Sequence, residues 1–189
     1  MFETQMVDRE RTYTWTSPAV GLAELGQRSG LDLLHAIATG ALPPPPMMQT
    51  LGITRIDVLP GQVTVHMPAQ EFHYNPLGTV HGGVIATLLD TAAGCAVHST
   101  LAAGTGYTSL DLTTKFLRPV TVDSGQLRCV GTVVNRGRST ALAQAQLFDA
   151  ADRLVAHAMS SCLILDLTRP AGQPTGTGQP VKRAAAAAI

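Results

Sequence analysis

The stretch NPLGTVHGGVIATLLDTAAGCAVHSTL, residues 75–101, decides the fold. It opens with turn formers, Asn75-Pro76 and Gly78, and runs through His81-Gly82-Gly83 into a segment with almost no polar interruption. From Val84 to Leu101 that segment makes about five helical turns. Asp90 is its only charge before His98. A helix that is apolar nearly all round must be buried on several sides.

On both sides of this run the period changes to two. In GQVTVHMPA (61–69), Val63, Val65 and Met67 alternate with Gln62, Thr64 and His66, the pattern of a half-buried strand. The preceding LGITRIDVLPG (51–61) reads as a first strand, with Pro60-Gly61 making the turn. Four alternating segments follow the helix: TSLDLTTKFL (108–117), GQLRCVGTVVN (125–135), TALAQAQLFD (140–149) and RLVAHAMSSCLIL (153–165). The links NRGR (135–138) and DAAD (149–152) fit hairpins. The order predicts two strands, one buried helix, then four strands in antiparallel succession. A single sheet must curl around that helix to bury it, which is an α+β layer architecture. Such a sheet leaves an edge and a face unprotected, and pairing with a second copy covers them.

Outside this region the signals weaken. Leu31, Leu34 and Ile37 in SGLDLLHAIATG (29–40) have helical spacing, and Pro43 to Pro46 then set an extended linker. Residues 1–28 lack periodicity and are expected to drape over the surface. From Thr168 the composition turns to Pro, Gly, Thr and Ala, too poor in large apolar residues to offset ordering entropy. The chain therefore divides into an N-terminal extension (1–47), a folded domain (48–167) and a flexible tail (168–189).

Composition excludes several functions. Thirteen basic residues balance thirteen acidic ones, so no electrostatic case exists for a nucleic-acid partner. Charged residues are only 14% of the chain, which suggests that some surface is covered by another subunit. Cys95, Cys129 and Cys162 form no CxxC pair and read as reduced thiols of a cytoplasmic protein. The polar N-terminus does not read as a signal peptide, and no run of eighteen apolar residues exists to cross a membrane. There is no GxSxG, P-loop, HExxH or GxGxxG. His66 and His73 do not combine with His81 at metal-ligand spacing, so neither metal nor cofactor is expected.

The chemistry must then lie in the loop and helix. The first N–H groups of a helix have no partner within it and carry the positive end of its dipole. Gly82 and Gly83 place no side chain there, so a substrate oxygen could approach, as an oxyanion hole requires. The alternative is a tight connection and nothing more. Asp90 is a poor helix-interior residue among Ile85, Leu88, Leu89, Ala92 and Ala93, and a buried carboxylate needs a reason; a polar stripe with Thr87 and Thr91 is the other reading. Gly82 and Asp90 lie about 12 Å apart along one helix. If both act on one bond, they come from different subunits whose helices run antiparallel. His81 could anchor the loop, Thr108 or Ser109 could hold a water, and Arg118, Arg136 and Arg138 could meet phosphates.

NPLGTVHGGVIATLLDTAAG resembles the signature of hotdog-fold acyl-CoA thioesterases of the phenylacetate-degradation (PaaI-like) branch. The resemblance continues through TSLDLTTKFLRPV, VGTVVNRGRS and LVAHAMSSCLI, over residues 48–166, and the upstream helix and proline run resemble the lead-in of some bacterial members. It implies a curled antiparallel sheet around a central helix, assembled as homodimers or homotetramers, with acyl-CoA as substrate and no cofactor. It also implies that the Gly82 N–H polarises the thioester carbonyl, with Asn75 assisting and His81 steadying the loop. Asp90 of the partner subunit would activate water or attack as nucleophile, and Ser109 would help place the water. A non-catalytic acyl-CoA-binding or sensing protein on the same fold is the rival reading, and enoyl thioester hydration a third.

Overall fold

In the computed structural model, which describes residues 8–168, three short helices precede the sheet: α1 (Ala19–Glu24), α2 (Gly30–Ala38) and α3 (Pro46–Leu51). The helix expected from Leu31, Leu34 and Ile37 is α2. Its N-cap Ser29 accepts from the Asp32 N–H, and its buried residues include Leu33 and Leu34. α1 buries none of its residues, and the sequence pattern did not anticipate it. The proline run departs from expectation at its last member. Pro43 to Pro45 stay outside any helix, but Pro46 starts α3, because the first helical position needs no N–H donor. Gly52, at φ 76°, ends α3 in the left-handed conformation. The expected flexible tail lies, from residue 169 onward, outside the described residues, as do residues 1–7.

The strands are β1 (Arg55–Leu59), β2 (Gln62–Pro68), β3 (Thr105–Ser109), β4 (Thr113–Phe116), β5 (Gln126–Arg136), β6 (Thr140–Phe148) and β7 (Leu154–Asp166), with α4 (Gly82–His98) between β2 and β3. They form one open antiparallel sheet in the order β1-β2-β5-β6-β7-β3, and β4 also pairs with β7. The hairpins β5–β6 and β6–β7 are where NRGR and DAAD predict them. The expected succession of four strands needs correcting at its first member. β3 and β4 join the far side of β7 instead of lying beside β5, whose free edge is taken by β2.

The segment 108–117 is also two strands, not one. Between the register pairs Ser109↔Cys162 and Thr113↔Met159, four steps on one side match three on the other. The extra residue breaks the ladder, and Asp111 fills the gap, with Oδ1 accepting from the Ser161 N–H.

Val63, Val65 and Met67 point into the core, as their alternation requires. His66, on the opposite face, is also largely covered; its Nε2 lies 2.7 Å from Asp57 Oδ2. α4 packs its Ile85, Leu88, Leu89, Ala92, Ala93, Ala96 and Val97 into the concave face of the sheet. Contact is closest at Gly131 of β5, where an added Cβ would fall 2.0 Å from the Ala92 carbonyl oxygen. A side chain there would push helix and sheet apart.

Candidate active site

The loop before α4 is held by Asn75. Its Oδ1 accepts from the N–H groups of Leu77 (2.9 Å) and Thr79 (3.3 Å), and its Nδ2 donates to Thr79 Oγ1 (3.0 Å). This is the local pairing that makes asparagine a turn former. Gly78, at φ 74°, takes a conformation that a side chain would strain. The loop is tied outward through His81 N–H to His73 O and Val80 N–H to Val120 O, both 2.8 Å.

His81 is the N-cap of α4: its Nδ1 accepts from the Gly83 N–H at 2.9 Å. The two glycines are therefore not equivalent. Gly83 has its N–H occupied by the cap, and a Cβ there would sit 3.0 Å from the same imidazole nitrogen. The Gly82 N–H has no acceptor among the described residues. Gly82 faces a cavity of about 370 Å³ that Asn75, Phe116, Arg118 and Val120 also line. An added Cβ on Gly82 would come 3.3 Å from the Phe116 ring. Arg118 stands at this cavity with Nη1 donating to the Leu154 carbonyl.

Two turns further along α4, Asp90 Oδ1 accepts from Ser109 Oγ at 2.8 Å. Asp90 is half-buried, and Thr108 beside Ser109 is exposed. The carboxylate acts on its surroundings. Burial, reinforced by Asp90, pushes the Cys95 thiol up to about 12, and burial together with the charges of Cys95 and Asp90 holds the Tyr107 phenol well above its ordinary range. Neither group is a nucleophile at neutral pH. Among the described residues no cluster of His, Cys, Asp and Glu could hold a metal ion, and no helix is long and apolar enough to cross a membrane.

The structure thus brings the sequence candidates into two groups. Asn75, His81, Gly82, Gly83 and Arg118 lie at the N-terminus of α4, and Asp90, Thr108 and Ser109 lie at its middle. The arginines divide likewise. Arg136, Ala141, Cys162 and Ser109 fall in one register row across β5, β6, β7 and β3, with Arg138 in the adjoining turn. Arg118 instead bonds through its backbone to Val155, seven residues back along β7, about 23 Å at the strand rise.

The thioesterase superfamily model matches residues 77–156, which hold both groups apart from Asn75. A candidate esterase of Halobacterium salinarum is 32% identical over 111 residues, covering 56% of this chain and 72% of its own. The chain belongs to the thioesterase superfamily. Human acyl-coenzyme A thioesterase 13 is 30% identical over 106 residues, covering 56% of this chain and 74% of its own. A phenylacetic acid degradation-related protein of Ralstonia eutropha, itself a candidate thioesterase, superposes with TM-score 0.63 at 29% identity, covering 69% of this chain and 98% of that one. This thioesterase is a thioester hydrolase with the hotdog architecture, like the phenylacetate-degradation relatives its sequence resembles.

Two features of the thioesterase site escape sequence reasoning. Phe116 over Gly82 belongs to a strand remote in sequence, and nothing in its local pattern marks it. The use of the Gly83 N–H by His81 could have been inferred, because a residue two before a helical N–H is placed to cap it.

Proposed function

We propose that this thioesterase hydrolyses acyl-CoA to a free acid and CoA at sites shared between two copies of the chain. The observation that carries the reading is the division of the machinery along α4. The unpaired Gly82 N–H and the Asp90–Ser109 pair are eight residues apart, about 12 Å, too far to act on one thioester within a chain. A second copy with its α4 antiparallel closes that gap.

Two surface features support pairing. β3, which carries Ser109, ends the sheet and leaves an edge open. Leu110 next to it is 58% exposed, and Phe116 over Gly82 is 56% exposed. Large apolar groups beside both half-sites fit a face that another subunit covers.

The chemistry follows from the groups. The thioester oxygen takes the Gly82 N–H of one copy, which stabilises the charge that develops as the carbonyl becomes tetrahedral. A water held by Ser109 gives its proton to Asp90 of the other copy and adds to the acyl carbon. The C–S bond then breaks, the electrons leave with CoA as thiolate, and the carboxylic acid is released. A thiolate is a good enough leaving group to need no strong acid. Arg118 stands where it can meet a CoA phosphate beside Gly82, and Arg136 and Arg138 flank the Ser109 side.

Subunit mixing tests this. Asp90→Asn spoils one half of every site and Gly82→Leu the other, so each variant alone should be inactive. Co-expressed and purified as the mixed dimer, they contain one intact site of two and should recover about half the normal rate. No recovery from a verified mixed dimer would place both groups on one chain and overturn the shared site.

A further inference from the structure

The N-terminal segment, which lies outside the superfamily match, closes a second cavity of about 310 Å³. Leu22 of α1 and its C-cap Leu25, Leu34 and Ile37 of α2, and the run Pro43–Pro46 form its roof. Its floor is the back of the catalytic helix and strand: Cys95 and His98 of α4 and Tyr107 of β3. The cavity therefore adjoins the Asp90 half-site. Tyr107 is two residues before Ser109 and on the same face of β3. Its ring lies over Gly94, one helical turn beyond Asp90; a Cβ on Gly94 would come 2.6 Å from the Tyr107 hydroxyl. Absence of a side chain at 94 is what lets the Tyr107 ring pack against α4 at the cavity floor.

The lining sets the ligand chemistry. No Asp, Glu, Lys or Arg lines the cavity. His98 is half-buried with its pKa lowered by desolvation, and desolvation holds the Cys95 thiol protonated, so the floor carries no charge at neutral pH. Thr16 and Ser17 also line it, but a charged group would lose its hydration there with no opposite charge to offset the loss. The size argues between apolar groups. A cavity of about 150 Å³ already accommodates benzene, and at about 30 Å³ per water-sized group this one holds roughly ten such groups.

We infer that this cavity receives the acyl chain of the substrate, and that it selects unbranched saturated chains of about eight to ten carbons over short or single-ring acyl groups. The inference rests on the proposed hydrolysis at Asp90. A thioester whose carbonyl is held at Asp90 points its acyl chain past Tyr107 into the space under α1 and α2, while the CoA portion stays on the arginine side. The N-terminal helices are then a specificity cap, which accounts for a segment that the shared fold does not require. Each methylene that reaches the cavity favours the longer substrate by roughly threefold to fourfold.

Gly21, on the cavity side of α1, provides the test. A Cβ built there meets nothing within 4 Å, so Gly21→Phe fills the space without a clash at its root. The readout is the ratio of kcat/KM for decanoyl-CoA to that for butyryl-CoA, which a general loss of folded protein does not move. The wild-type ratio should exceed tenfold, with phenylacetyl-CoA below decanoyl-CoA, and Gly21→Phe should cut the ratio at least tenfold. A ratio near one in the wild type, or one unchanged by Gly21→Phe, would overturn the assignment. Calorimetric binding of decanoyl-CoA and butyryl-CoA to Asp90→Asn, with and without Gly21→Phe, separates the two ideas. If no ester is hydrolysed but Asp90→Asn prefers decanoyl-CoA and loses that preference with Gly21→Phe, the catalytic reading falls and the pocket stands. If neither turnover nor binding depends on chain length, the pocket falls.

Discussion

The two ends of the site are made of different material. At the start of α4 the group proposed to act is a backbone N–H, exposed because Gly82 has no side chain and because His81 takes its neighbour's N–H instead. At the middle of α4 the groups proposed to act are side chains, Asp90 and Ser109, held by one hydrogen bond across to β3. A backbone donor survives every substitution except proline and is otherwise altered only through what an added side chain displaces. A carboxylate is lost by changing one atom. The same helix therefore carries one half-site that is sensitive to shape and one that is sensitive to charge.

The comparison breaks most sharply at Asp90. Asp90→Asn keeps the shape and the Ser109 contact but removes the proton acceptor, and should lower kcat by about 10³-fold with the oligomer unchanged in size-exclusion chromatography. A rate within tenfold of normal would leave the helix N-terminus as the only working half. At the other end, Gly82→Ala keeps the N–H yet sets a Cβ 3.3 Å from the Phe116 ring. Activity should fall about tenfold, less than the loss of an oxyanion donor outright, and Phe116→Leu in the same chain should restore most of it. Failure of that rescue would mean that Gly82 matters for more than space. The smallest effect belongs to Ser109→Ala, which removes the donor at 2.8 Å from Asp90 but leaves the carboxylate. A severalfold loss in kcat with KM little changed is expected, in line with a typical net hydrogen-bond worth of about 1 kcal/mol. A loss as deep as that of Asp90→Asn would make the hydroxyl an equal partner in the chemistry.

Much of the fold could be read from local pattern. The period-two runs of β2, β5, β6 and β7 and the nearly unbroken apolar run of α4 each commit a segment to one geometry, since burial fixes which faces must be apolar. The candidate residues were also visible one by one: a charge inside an apolar helix, paired glycines at its start, turn formers before it. What was not visible depends on contacts between distant segments. The splitting of residues 108–117 into β3 and β4 follows from one residue of mismatch against β7, and no count within that segment reveals it. The placement of β3 beside β7 instead of β5 is a choice among edges, all compatible with the same alternation.

The N-terminal segment shows the same limit. α1 buries none of its residues and carries no strong pattern, yet together with α2 and the prolines it encloses a cavity against the back of α4. A cavity is the space that packed elements leave, so its existence depends on how far apart they settle and not on any one element. Sequence alone determined the secondary structure of the central domain and the types of group at the site, because periodicity and burial act residue by residue. Tertiary structure alone decided which N–H stays free, which hydroxyl meets Asp90, and where an apolar chain could go. Those are distances between segments far apart in sequence, fixed only when the sheet closes around the helix.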